Sequence, residues 1–186
     1  MKYFRLWPAF NSREEIETKW VNDQDFFMEF DAYQSRPLLP VWPRDLSFQL
    51  EGRGIVADVM SSLHAFYFSR QARDKIDSLL SNSVEWLPVK LGLKSDYFVL
   101  HPLQTIELGP QAVFRQNRPQ DNIIEVSRYD FDADEQLPAC FLVHQAPGSP
   151  ARESHGTLGI IIVNETLRWK MGVYRGVDFA QVYERK

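Results

Sequence analysis

The sequence predicts an α+β fold: a mixed or mostly antiparallel sheet packed with a few amphipathic helices. Strand-like and helix-like segments are interspersed irregularly, without the strict alternation of a parallel α/β chain. Twice, an apolar strand runs into a polar cap and then an amphipathic helix, at Phe66-Tyr67-Phe68-Ser69 and at Ile161-Ile162-Val163-Asn164. Composition fits a packed globular chain, with 44% hydrophobic and 25% charged residues among 186. Global disorder is thereby excluded.

Lys2–Trp7 reads as an opening strand that Pro8 ends. Ser12-Arg13-Glu14-Glu15 has the form of a capping box, and Ile16 and Trp20 share one face of the helix expected after it. Between Asp23 and Tyr33, acids and rings mix without a clean period. Pro37, Pro40 and Pro43 make residues 36–43 extended or turning. That stretch is the best linker between an N-terminal segment, 1–45, and a main body, 46–186; one continuous domain is the alternative.

Leu46–Leu50 is a short strand, residues 51–54 a turn, and Ile55–Leu63 a short helix. Ala65–Phe68 reads as a strand. Ser69 caps a helix whose Ala72, Ile76, Leu79 and Leu80 share a face. Val84–Lys90 and Tyr97–Leu100 form strands around a turn. Thr105–Leu108, Ala112–Phe114, Ile123–Tyr129 and Cys140–Val143 are further strand candidates. Residues 146–156 form a Pro/Gly-rich loop. Leu158–Val163 is continuously apolar, as in a strand buried on both faces. Asn164 caps a helix carrying Leu167, Met171 and Tyr174, Gly176 suits its exit, and Val177–Tyr183 is the closing strand.

The net charge of −4 is unevenly spread. Residues 11–31 carry seven acids against Arg13 and Lys19, and residues 121–135 carry six against Arg128, so each block is net −5. Two acidic blocks disfavour nucleic acid, whose phosphates need clustered Lys and Arg. They suit either a pair of solvated faces or a basic protein partner. No apolar run nears the ~20 residues of a membrane span. The N-terminus lacks a secretory apolar stretch. A cytoplasmic protein with no membrane partner is expected.

Chemistry-bearing patterns are sparse. Cys140 is the single cysteine, so no internal disulfide forms. Cys140 and His144 invite a nucleophile–base reading, but on a strand residues four apart lie about 13 Å from each other. His155 sits in the flexible loop without an orienting acid. Gly52-Arg53-Gly54 lacks the rest of a phosphate-cradling loop. Asp130, Asp132 and Asp134 have the spacing that opens a calcium loop, but Glu135 stands where that loop needs Gly, and Phe141 where it needs a bidentate Glu. No catalytic, cofactor-binding or metal residue is assigned. Trp7, Trp20 and Trp42 suit either interface anchors or pins that hold the N-terminal segment to the sheet.

Two stretches carry a family resemblance. The first is Phe68-Ser69-Arg70 through Leu80, then Val84-Glu85-Trp86-Leu87-Pro88-Val89 and Asp96-Tyr97-Phe98-Val99-Leu100. The second is Ile161-Ile162-Val163-Asn164-Glu165 through Tyr174, then Gly176-Val177-Asp178-Phe179. In order and character, over about residues 50–183, they resemble the MXAN-type immunity proteins of bacterial polymorphic toxin systems. The resemblance implies an α+β cytoplasmic protein, not an enzyme, that neutralises a cognate toxin by binding it. It brings no catalytic residues. Charge and aromaticity place the expected interface at Asp130, Asp132, Asp134 and Glu135, with Trp20, Asp23 and Asp25 behind them. The rivals are a small enzyme using Cys140, His144 or His155, and a scaffold that self-associates into a homo-oligomer.

Overall fold

The computed structural model describes residues 1–8, 19–29, 36–62, 65–80, 82–92, 95–116, 124–132, 136–144 and 157–185. The expected capping box at 12–15 and the loop at 146–156 lie outside them. The structure is rich in strand, with a few helices and mixed pairing.

The five-stranded sheet has the order β13-β1-β12-β11-β8. Its strands are β1 (Lys2–Pro8), β8 (Thr105–Glu107), β11 (Cys140–His144), β12 (Thr157–Asn164) and β13 (Val177–Glu184). The N-terminal strand therefore lies inside the sheet, antiparallel to both β12 and β13. The six-stranded sheet runs β2-β3-β6-β7-β5-β4. It comprises β2 (Trp20–Asn22), β3 (Ser47–Glu51), β4 (Val59–Ser61), β5 (Phe66–Ser69), β6 (Val84–Leu91) and β7 (Ser95–Pro102). Its terminal strands β2 and β4 approach each other, so the sheet curls. A small hairpin of β9 (Val113–Gln116) and β10 (Ile124–Arg128) completes the strands. The helices are α1 (Gln24–Glu29), α2 (Arg70–Leu80) and α3 (Glu165–Met171), with a 3₁₀ turn at Leu39–Val41.

Three cores follow from the strand alternation. The central one joins the two sheets through Phe4, Leu6, Phe66, Phe68, Cys140, Leu142, Ile161 and Val163, closed by Ala72, Ile76 and Leu80 of α2 and Leu167 and Met171 of α3. The second fills the curled sheet with Val21, Phe48, Met60, Tyr67, Leu87, Val89, Leu91, Tyr97 and Val99. The third lies on the far face of the five-stranded sheet, where Ile160 and Ile162 meet Tyr3, Val126, Phe131 and Phe141. Strand β12 thus divides Ile161 and Val163 from Ile160 and Ile162, which explains its unbroken apolar run.

Helices α2 and α3 start at the caps that the sequence marks. Ser69 Oγ accepts the Ala72 amide at 3.2 Å, and Asn164 Oδ1 accepts the Leu167 amide at 2.9 Å. The two strand–cap–helix units are also topologically equivalent. One reads β4-β5-β7-β6 across its sheet, with α2 between β5 and β6; the other reads β11-β12-β1-β13, with α3 between β12 and β13. Every neighbouring pair in both is antiparallel. The place of β7 is taken by β1, supplied from the other end of the chain. Where a turn joins β6 to β7, the termini sit side by side: the Arg185 amide donates to the Met1 carbonyl at 3.0 Å.

One expectation is corrected here. The segment expected as a short helix at 55–63 contains strand β4, because Met60 must face the curled sheet's interior while Val59 faces the central core. The Pro-rich stretch, read as extended or turning, makes the 3₁₀ turn Leu39–Val41 and packs onto the body. Leu38 is fully buried, Trp42 is nearly so, and the Trp42 indole N–H donates to the Pro88 carbonyl at 2.7 Å. The Glu85 carboxylate accepts the amides of Leu38 and Leu39, and buried His101 reaches the Arg36 carbonyl at 3.1 Å.

Candidate functional site

A pocket of about 210 Å³ opens where β2, the start of α1 and the ends of β3 and β4 meet. Trp20, Val21, Asn22, Asp23, Gln24, Glu51 and Ser62 line it. Alternation along β2 builds the site: Val21 points into the curled sheet, so Trp20 and Asn22 on either side point out. Pairing with β3 sets Trp20 opposite Glu51. The Asn22 side-chain amide donates to Glu51 Oε1 at 2.5 Å. Trp20 is 54% exposed, and its indole lies over Gly52, whose φ of 85° makes the tight turn after β3. Beside it, the Ile55 carbonyl accepts the Lys19 amide at 3.0 Å, and Ile55 and Val56 are both exposed.

Asp23 departs from the expectation of a surface acid. It is 3% exposed, and its Oδ2 accepts hydrogen bonds from the hydroxyls of Ser62 and Tyr67. A buried carboxylate needs such donors, since burial without them is costly. Val21, Asp23 and Ser62 are the buried members of the lining, while Trp20, Asn22, Gln24 and Glu51 form the exposed wall and rim. Asp25, on α1, is exposed nearby.

The second acidic group is divided. Asp130 is half-buried and holds a loop: its Oδ2 accepts the Gln111 amide at 2.9 Å and its carbonyl accepts the Gly109 amide at 2.8 Å. Asp132 is exposed. Asp134 and Glu135 lie outside the described residues. Among the described residues, no group of three or more His, Cys, Asp or Glu side chains is placed to hold a metal ion.

Cys140 lies in the central core at 0% exposure, and burial pushes its thiol well above the ordinary value. The thiolate, the reactive form, is disfavoured there. A stability effect follows. The folded state keeps the proton that the unfolded thiol loses above its ordinary value of 9.0. The Cys140 contribution is therefore fully present below about pH 9 and is lost above it, by roughly 1.4 kcal/mol per pH unit. Tyr97, pushed up to about 12 by burial and by Asp58, acts in the same direction above its ordinary 10.0. Urea unfolding between pH 7 and 11 should show this loss, with a shallower slope near pH 9–10 in Cys140→Ala. A flat profile through pH 10 would refute it.

Other exposed apolar side chains include Trp169 in the last turn of α3 and Val173 just beyond it, at 67% and 76% exposure. Glu51, Asn22 and Ser62 were not singled out from the sequence. They join Trp20 only through strand pairing and sheet curling, which no local pattern reports. No helix among the described residues is long and apolar enough to cross a membrane. No protein-family model matches the chain, and no curated protein matches it.

Proposed function

We propose that this protein is a non-enzymatic immunity protein, which holds a cognate toxin domain in a complex and thereby neutralises it. The resemblance to MXAN-type immunity proteins supports the class of function. The observation that carries the surface is Trp20, a largely exposed indole at the mouth of a pocket, opposite the acid Glu51 and near the exposed Ile55 and Val56, with Asp25 exposed on α1. An apolar anchor within an acidic rim is what a protein interface uses: charges speed the encounter, and a buried ring then holds the complex.

The test is co-expression with the product of the adjacent gene, read by survival and co-purification. Trp20→Ala should weaken the complex at least tenfold while leaving the melting temperature within a degree or two, because Trp20 is mostly exposed. Full affinity in Trp20→Ala would remove this surface from the interface. Absence of both protection and co-purification with the wild-type protein would remove the function itself. Asp132→Asn should slow association at low salt and flatten its salt dependence. Asp130→Asn is less informative, since that carboxylate also holds the 109–111 loop.

One rival has a specific observation in its favour. Strand β13 ends the five-stranded sheet and is eight residues long, an edge on which a second copy can pair. A mass that rises with concentration in light scattering would favour self-association.

A further inference from the structure

We infer that the pocket beside Trp20 receives the guanidinium of one arginine side chain presented by the partner. The identity of that partner as a toxin rests on the immunity reading; the chemistry of the pocket does not. At about 210 Å³ the pocket is smaller than the roughly 300–1,000 Å³ of small-molecule sites and suits a single side chain. Among the described residues its lining carries two carboxylates, the buried and already bonded Asp23 and the exposed Glu51, and no cationic side chain. Lys19 and Arg53 are close in sequence but do not line it. One exposed wall is the indole of Trp20, the ring type whose face attracts cations most strongly.

The arrangement favours guanidinium over ammonium. A planar guanidinium stacks on the indole while its edge donates to a carboxylate, and its weak hydration lowers the cost of entry. Ser62 and Tyr67 hold the Asp23 carboxylate in place before any ligand arrives. Asn22 does the same for Glu51. Asp25, exposed on α1 two residues beyond Asp23, adds negative charge that draws a basic partner.

The experiment titrates N-acetyl-arginine amide, and separately the neutral N-acetyl-norleucine amide, into ¹⁵N-labelled protein at millimolar concentration. The arginine compound should shift the Trp20 indole N–H and the Asn22 side-chain amide saturably, and the norleucine compound should not. Trp20→Leu and Glu51→Gln, both at exposed positions, should each weaken the arginine titration about five- to tenfold. Asp23→Asn is avoided because that side chain also secures Ser62 and Tyr67. An unmoved Trp20 resonance, or equal shifts from norleucine, would overturn the proposal. The titration needs no toxin. If it fails while co-purification succeeds, the pocket assignment falls alone; if it succeeds while co-purification fails, the immunity function falls and the pocket assignment remains.

Discussion

A chain that begins at residue 46 should fail to fold, although the resemblance to immunity proteins covers only about residues 50–183. The first 45 residues contribute to every core: Tyr3 to the outer one, Phe4 and Leu6 to the central one, and Val21, Leu38 and Trp42 to the curled sheet. At about 2 kcal/mol for each buried side chain, the six together match the roughly 5–15 kcal/mol by which a whole domain is stable. The loss is also topological. Without β1, strands β12 and β13 have no common neighbour, and the five-stranded sheet splits. The truncated chain should show no cooperative thermal transition and little near-ultraviolet circular dichroism. A cooperative melt would overturn the prediction. Trp42→Ala tests the Pro-rich stretch separately within an intact chain. It removes a buried ring that packs edge-on to Phe26 at 5.5 Å, and should cost about 3–5 kcal/mol. A loss under about 1 kcal/mol would show that the stretch is only tethered.

Gly176→Ala should destabilise the fold more than a methyl at any of the other described glycines with a positive φ. Gly176 has φ 93°, a region where an L side chain costs about 1–2 kcal/mol. A Cβ there would also lie 1.9 Å from the Val59 carbonyl oxygen, which is backbone and cannot rotate away. The turn after α3 meets β4 at this point, so the clash forces the two sheets apart. The expected loss exceeds about 4 kcal/mol, or roughly 10 °C in melting temperature for a domain of this size. Gly92→Ala separates the two causes. Gly92 also has a positive φ, 63°, but the nearest atom to an added Cβ is the Leu50 side chain at 3.8 Å. It should lose only the conformational part, about 1–2 kcal/mol. Equal losses in the two variants would show that the contact with Val59 contributes nothing.

Most elements were legible in the sequence, for local reasons. The caps at Ser69 and Asn164 answer orphan amides within one turn, so they read directly from residue type and spacing. The apolar run at 158–163 gave away its double burial because both faces of β12 meet core. Segment 55–63 misled because a strand of three residues is too short to show alternation. The candidate site was only half legible. Trp20 was singled out, yet its helix-like spacing from Ile16 pointed to a helical face, whereas β2 places it on a strand. Asp23 was read by its charge, and charge carries no information about depth.

Residue order and composition were enough for a sheet-rich chain with a few helices, for the two strand–cap–helix units and for the lack of an internal disulfide, since these depend on residues a few positions apart or on residue counts. Only the tertiary structure decided that the N-terminal strand completes a sheet made mostly of the C-terminal half, that the two units are permuted copies of one arrangement, and that Trp20, Asp23, Glu51 and Ser62 share one pocket. Those facts rest on pairings between distant segments. Their energies come from apolar surface and backbone hydrogen bonds that many alternative partners offer equally well, until the whole set is packed at once.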